Sequence, residues 1–82
     1  MRVRITPRRL AILTAIHESG ETRPSGICHA TGYGPGAVYQ TLLLFERAGW
    51  VGRKPDPTRP VATLYHLTPR GHAGLQPKGP NA

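Results

Sequence analysis

The sequence of 82 residues contains one cysteine, Cys28, and only four acidic residues. A lone cysteine excludes an internal disulfide and a cysteine-built zinc cluster, and a reducing cytoplasm is the simplest setting for it. His17, His29, His66 and His72 stand far apart, with no cysteine or carboxylate at ligand spacing, so neither a metal site nor a cofactor is expected. Cys28 and His29 are neighbours, but adjacent side chains on a helix point about 100° apart, which reads as packing and surface rather than nucleophile and base. Paired carboxylates and a phosphate-cradling loop are also lacking. Gly34-Pro35-Gly36 opens a helix, yet Pro35 has no N–H and no lysine follows as in a nucleotide-binding loop. An enzyme is therefore not expected. No run approaches the roughly 18 apolar residues that span a bilayer, and the basic N-terminus meets Pro7 instead of a signal-peptide core. With no amphipathic helix of basic flanks and exposed aromatics either, the chain reads as unexported and free of membrane.

The scarcity of acid has a positive counterpart. Eleven Lys and Arg against four Asp and Glu leave a formal charge of +7, and the natural partner of such a surface is a polyanion. The plainer alternative is a GC-rich coding bias, which would raise Arg together with Gly and Pro. At this length the chain makes one domain, and folding buries only about 60% of the surface exposed by the unfolded chain. Hydrophobic residues, 38% of the total, gather in residues 10–16, 37–51 and 61–67.

"ITPRRLAILTAIHESG" carries a capping Thr6 before Pro7, then apolar residues at Ile12, Leu13 and Ile16 with the stem of Arg9, and a stop at Gly20. A first helix over about residues 7–18 follows, preceded by "RVRI", which fits a short strand or a basic arm. "ETRPSGICHATGYG" begins extended and then supports a short helix from Pro24, with Ile27 and Ala30 one turn apart, to Gly32. "TGYGPG" is a turn, and a third helix runs from Pro35 to Ala48 before Gly49. Next come "WVGRK", a short strand; "PDPTRP", a loop with three prolines in six residues; and "VATLYHL", a strand with Val61, Thr63, Tyr65 and Leu67 on one face. Thr68-Pro69 repeats the cap-then-proline device and predicts a last short helix to about Leu75. Residues 76–82 are expected to be disordered.

Three helices followed by a two-stranded hairpin make an α+β winged helix-turn-helix over residues 1–75. In that architecture the third helix enters the DNA major groove, and the wing lies along the backbone or minor groove. On the third helix Val38, Leu42 and Phe45 form the stripe expected to bury. Ala37, Gln40, Thr41, Leu44 and Arg47 are expected opposite, with Gln40 and Thr41 able to bond base edges or phosphates. Leu43 and Leu44 cannot both be core. The exposed one fits a thymine methyl contact, a subunit interface, or a single surface leucine of the kind every protein tolerates.

The residues Gly36, Ala37, Val38, Tyr39, Leu42, Phe45, Glu46, Gly49, Trp50 and Val51, in "GAVYQTLLLFERAGWV", resemble the signature of the PadR family, as does "YHLTPRG" from Tyr65 to Gly71. The two motifs cover residues 34–71. The "TPRR" opening of the first helix is similar to those of PadR and MarR regulators. The resemblance implies a sequence-specific regulator of transcription that binds double-stranded DNA, usually a repressor and usually a homodimer on a pseudo-palindromic operator. It implies that Tyr39 and the turn before it, Tyr33, Gly34 and Gly36, approach phosphates, and that Arg53, Lys54 and Arg59 of the wing contact the backbone or minor groove. Arg4 and Arg23 complete the candidate DNA contacts with Ala37, Gln40, Thr41 and Arg47. Ala37 departs from the family's usual Thr or Ser, removing a hydroxyl. The family's long C-terminal dimerisation helices are also missing, so a homodimer is expected to use the N-terminal arm, helix one or the last short helix. Two other readings remain: an architectural or recombination-accessory DNA-binding protein, and a winged helix protein-interaction module that exposes Leu43, Leu44 and Trp50.

Overall fold

The computed structural model describes residues 3–75; the expected tail, residues 76–82, lies outside them. The elements are α1 (Pro7–Ser19), β1 (Glu21–Thr22), α2 (Pro24–Thr31), α3 (Pro35–Arg47), β2 (Val51–Asp56), β3 (Arg59–Leu67) and α4 (Pro69–Leu75). Every helix opens on a proline, whose fixed φ suits the first turn and whose missing N–H would have no partner there anyway. At α1 the cap is complete: Thr6 Oγ1 accepts from the Arg9 N–H at 3.2 Å. Between α2 and α3 the chain reverses through Gly32, whose φ of 80° is left-handed and whose N–H closes the helix on the Cys28 carbonyl.

The core lies where α1, α2 and α3 meet the sheet. Ile12, Leu13 and Ile16 of α1, Ile27 of α2 and Val38, Leu42 and Phe45 of α3 are sealed from solvent, and Val51, Tyr65 and Leu67 close the sheet side. Val3 joins this cluster, so the arm before α1 is tied down, as coil rather than strand. Ala30 is exposed; Cys28, two residues earlier, packs half-buried against the core instead.

The sheet has three strands in the order β1-β3-β2, all antiparallel. The sequence predicts two. Glu21 and Thr22 are too few to show any alternation, and they become a strand by pairing with His66 and Tyr65. The wing is also longer than its prolines suggest. "PDPTRP" is mostly strand, with β2 continuing to Asp56 and only Pro57 and Thr58 between the strands. Pro55 is tolerated because β2 is an edge strand, where one side of the backbone has no ladder to lose, and the register shifts just after it. Tyr65 and Leu67 bury as their alternation predicts, whereas Val61 on the same parity is 94% exposed because the hairpin runs out beyond the core.

Thr68 joins α4 to the end of α3. Its Oγ1 donates to the Gly49 carbonyl at 2.5 Å and accepts from the Gly71 N–H at 3.2 Å. The Trp50 ring stacks on Phe45, with centroids 5.5 Å apart and planes 9° from parallel. α4 presses so closely on Trp50 that a Cβ built at Gly71 would stand 2.1 Å from the Trp50 carbonyl oxygen. Gly71→Ala is therefore expected to lower stability by about 2–3 kcal/mol, because the obstacle is backbone that cannot swing aside. Gly36→Ala, with nothing within 4 Å of its Cβ, should leave the melting temperature unchanged or raise it. Thermal unfolding followed by circular dichroism checks both, and an unchanged midpoint for Gly71→Ala would refute the close approach.

Candidate nucleic-acid interface

α3 presents its two faces differently from the stripe drawn on the sequence. Thr41 is buried at 7% exposure, and its hydroxyl donates to the Ala37 carbonyl at 2.9 Å. It therefore belongs to the inner stripe with Val38, Leu42 and Phe45, which corrects the outward face expected for it from the sequence. The physical reason is the phase of the helix. Thr41 falls between Val38 and Phe45 on a turn whose polar group is satisfied by its own backbone. Ala37 and Leu44 are half-buried and look toward the start of α1. The outward stripe is Gly36, Gln40, Leu43 and Arg47, with Tyr39 beside it at 54% exposure. Between the two leucines left open by the sequence, Leu44 is the one packed against the core and Leu43 the one exposed, at 47%.

Two hollows flank this stripe. On one side, Thr6, Arg8 and Arg9 of the α1 start face Ala37, Gln40 and Leu44 of α3. On the other, Ser25 of α2, Tyr39 of α3 and Arg59, Val61 and Thr63 of the wing surround a concavity. Gln40 borders the first and Tyr39 the second, so α3 forms a ridge between them. Gly34 and Gly36 at the head of α3 have open space around them and leave the helix start accessible. Sequence reasoning missed Arg8 and Arg9 as part of this surface. The signal was their position directly after the Thr6-Pro7 cap, which aims the first helical turn at α3. Arg9 also donates to the Arg4 carbonyl at 2.7 Å, fixing the arm, while Arg4 itself is exposed.

The remaining sequence candidates divide by what their charges touch. Arg23 gives two hydrogen bonds to Asp56 Oδ2, from Nε at 2.8 Å and from its terminal nitrogen at 2.5 Å. The pair ties the head of α2 to the wing, so the charge that the sequence offers as a DNA contact is shared with Asp56. Arg53 pairs with Glu46 at 2.9 Å, and Lys54 pairs with Glu21. Both lie at the base of the wing with their charge partly answered. Tyr33 packs against the core, and the Arg8 guanidinium lies 5.6 Å from its ring centroid, so its ring is engaged within the domain. Arg47 and Arg59 are exposed, and with Arg4 and Arg8 they have no acidic partner among the described residues. Three of the four acids are thus held in ion pairs around the wing, and the fourth, Glu18, is exposed on α1.

Asp56 organises the wing tip. Its Oδ1 accepts from the Thr58 hydroxyl at 2.7 Å and the Thr58 N–H at 2.9 Å, while Oδ2 takes Arg23. Hydrogen bonds from the Thr58 side chain and backbone, then from Arg23, hold the carboxyl down at about 2. A folded value below the unfolded one means that the carboxylate contributes stability above pH ~4 and loses it as pH falls from about 4 toward 2. Asp56→Asn should remove that part of the acid limb: the difference in melting temperature between wild type and variant is expected to be full at pH 6 and to shrink below pH 4. A difference that stays constant from pH 6 to pH 2.5 would refute the role of the ionised carboxyl.

No helix among the described residues is long and apolar enough to cross a membrane, and no group of three His, Cys, Asp or Glu able to hold a metal occurs among them. No protein-family model matches the chain. No curated protein matches it. Solved structures do. A cysteine-substituted MarR from E. coli, complexed with operator DNA, is 27% identical, covers 87% of this chain and 51% of its own, and superposes with a TM-score of 0.81. BpsR of Bordetella bronchiseptica, described with the regulation of its DNA binding by 6-hydroxynicotinic acid, is 21% identical over 88% of this chain and 51% of its own, with a TM-score of 0.84. YusO of Bacillus subtilis is 21% identical over 87% of this chain and 50% of its own, with a TM-score of 0.81. The chain spans about half the length of each. The likenesses do not single out the PadR group that residues 34–71 resemble; with the element order and the sheet, they make the chain a winged helix-turn-helix of the kind found in MarR-type transcription regulators.

Proposed function

We propose that the chain is a sequence-specific, double-stranded DNA-binding regulator of transcription, acting as a repressor in the cytoplasm, with α3 in the major groove and the wing on the backbone or minor groove. The observation that carries this reading is the ridge of α3. An exposed stripe of Gly36, Gln40, Leu43 and Arg47 stands between two hollows that hold Arg8 and Arg9 on one side and Tyr39 and Arg59 on the other. Such a ridge matches a groove with a phosphate strand on either side. The operator DNA bound by the similar MarR supports the same partner here.

Residue roles follow from exposure. Gln40 and Arg47 reach base edges; Tyr39, Arg59, Arg8 and Arg4 reach phosphates, with Gly34 and Gly36 letting the backbone come close to the head of α3. Arg53 and Lys54 contribute less, because each would have to leave a carboxylate. The PadR-like motifs favour that subgroup, and a homodimer is the arrangement that would read an inverted repeat. Exposed Ile5 and Leu10, in the arm and on α1, are the apolar side chains available for it. The protein-interaction reading loses its motivation, since Leu44 and Trp50 pack inward.

Binding to duplexes selected from a random pool is expected to weaken with salt at a log–log slope of about −0.9 per neutralised phosphate, for about 4 to 8 phosphates. Arg59→Ala should weaken all sequences alike and make the slope shallower by about one phosphate. Gln40→Ala should cost about 1–3 kcal/mol at one base position and leave random DNA unaffected. Salt-independent binding, or a featureless selected pool, would refute the reading.

A further inference from the structure

Leu43 is the one large aliphatic side chain exposed on α3, and it lies in the middle of the outward stripe, one turn after Gln40 and one turn before Arg47. It does not owe this position to a shortage of core. Leu44, next in sequence, is drawn inward beside α1, and Leu42 is sealed, so the helix already has its apolar anchors without Leu43. A single exposed leucine is common on protein surfaces, so exposure alone selects no partner; what bears on one is its place at the crest of the ridge between Gln40 and Arg47.

The surroundings decide which partner. A second protein surface would meet several apolar side chains together. The other large hydrophobics that are exposed besides Tyr39, namely Ile5, Leu10 and Val61, belong to the arm, α1 and the wing instead. Leu43 is flanked on its own stripe by an amide and a guanidinium, and Glu46, the acid nearest it on the helix, is held by Arg53. A cationic, hydrogen-bonding frame around a single aliphatic group repels an apolar protein patch. It fits the floor of a major groove, where one apolar feature is offered among donors and acceptors: the C5 methyl of thymine.

We infer that Leu43 is a specificity-determining residue that reads a thymine methyl group, set between the base contacts of Gln40 and Arg47. This rests on the proposed DNA-binding function. With contacts three and four residues to either side, the thymine lies within the same half-site as the bases read by Gln40 and Arg47. The side chain adds no hydrogen bond, so it contributes discrimination without adding to the salt-dependent part of affinity.

The experiment replaces each thymine of the selected duplex in turn by deoxyuridine, which differs only by the methyl group. Full-length wild type, Leu43→Ala and Leu43→Gln are each titrated against the series, with the oligomeric state followed by sedimentation. Wild type is expected to lose about fourfold in affinity at one thymine of the half-site, the value of one buried methyl. Leu43→Ala should be indifferent to that same replacement while keeping the salt slope, the oligomeric state and the melting temperature of wild type. Leu43→Gln provides the check on an outward side chain: it should fold equally and also ignore the methyl. The inference is overturned if wild type binds the selected duplex but responds to no single methyl, or if Leu43→Ala keeps the full response. It is overturned as well if Leu43→Ala shifts the protein to a smaller oligomer, which would make Leu43 a subunit contact. Absence of duplex binding by wild type refutes the DNA-binding function itself, a result distinct from all of these.

Discussion

Every outward-facing group of α3 is positioned by the burial of one helical stripe. Val38, Leu42 and Phe45 are at most 1% exposed, and each such side chain stabilises the fold by about 1.5–3 kcal/mol. They meet Ile12, Leu13 and Ile16 across the domain and Ile27 from α2. Among the described residues no second core exists to compensate, so the rotation of α3 about its axis is decided there. Thr41 completes the stripe without breaking it, because its hydroxyl is satisfied inside the helix. The rotation so chosen puts Gln40, Leu43 and Arg47 on the crest.

The wing depends on polar contacts instead. The hairpin leaves the core on the tip side of Tyr65, where Val61 is exposed and little apolar surface is left to hold it. Asp56 supplies the substitute: one carboxylate oxygen closes the turn on Thr58, and the other accepts Arg23 from the head of α2. Two further ion pairs, Glu46 with Arg53 and Glu21 with Lys54, join the base of the wing to α3 and β1. Exposed pairs of this kind contribute only about 0–1 kcal/mol each. Their larger effect is on the distribution of charge, since Glu21 and Glu46 are held in pairs at the wing root and Asp56 in another at its tip, and the ridge of α3 keeps its positive flanks.

Much of the fold was legible in the sequence wherever a local device sets it. Thr6-Pro7 and Thr68-Pro69 announced two helix starts, Gly32 and Gly49 two helix ends, and the alternation to Leu67 the second wing strand. What was not legible depends on partners distant in sequence. Glu21 and Thr22 carry no strand signal, and only β3 makes them one. The proline-rich "PDPTRP" was read as loop because composition does not say that β2 is an edge. The Arg23–Asp56 pair carries no local signal because its partners are 33 residues apart. On α3 the error was one of phase. Polarity placed Thr41 outside, whereas packing against α1 placed it inside and separated Leu43 from Leu44. Arg8 and Arg9 escaped notice for the same reason, since their place in the surface is set by the approach of α1 to α3.

The division of α3 into a sealed face and a bare crest has a consequence for how such a protein can change over time. Gly36, Gln40, Leu43 and Arg47 are absent from the buried core that holds the helix. Replacements at these four positions therefore leave the folding free energy nearly untouched and, under the proposed DNA-binding function, fall almost wholly on recognition. On that proposal, duplicated copies of the gene can diverge in target while sharing one interior, with the stability of the scaffold acting as a constant against which specificity drifts.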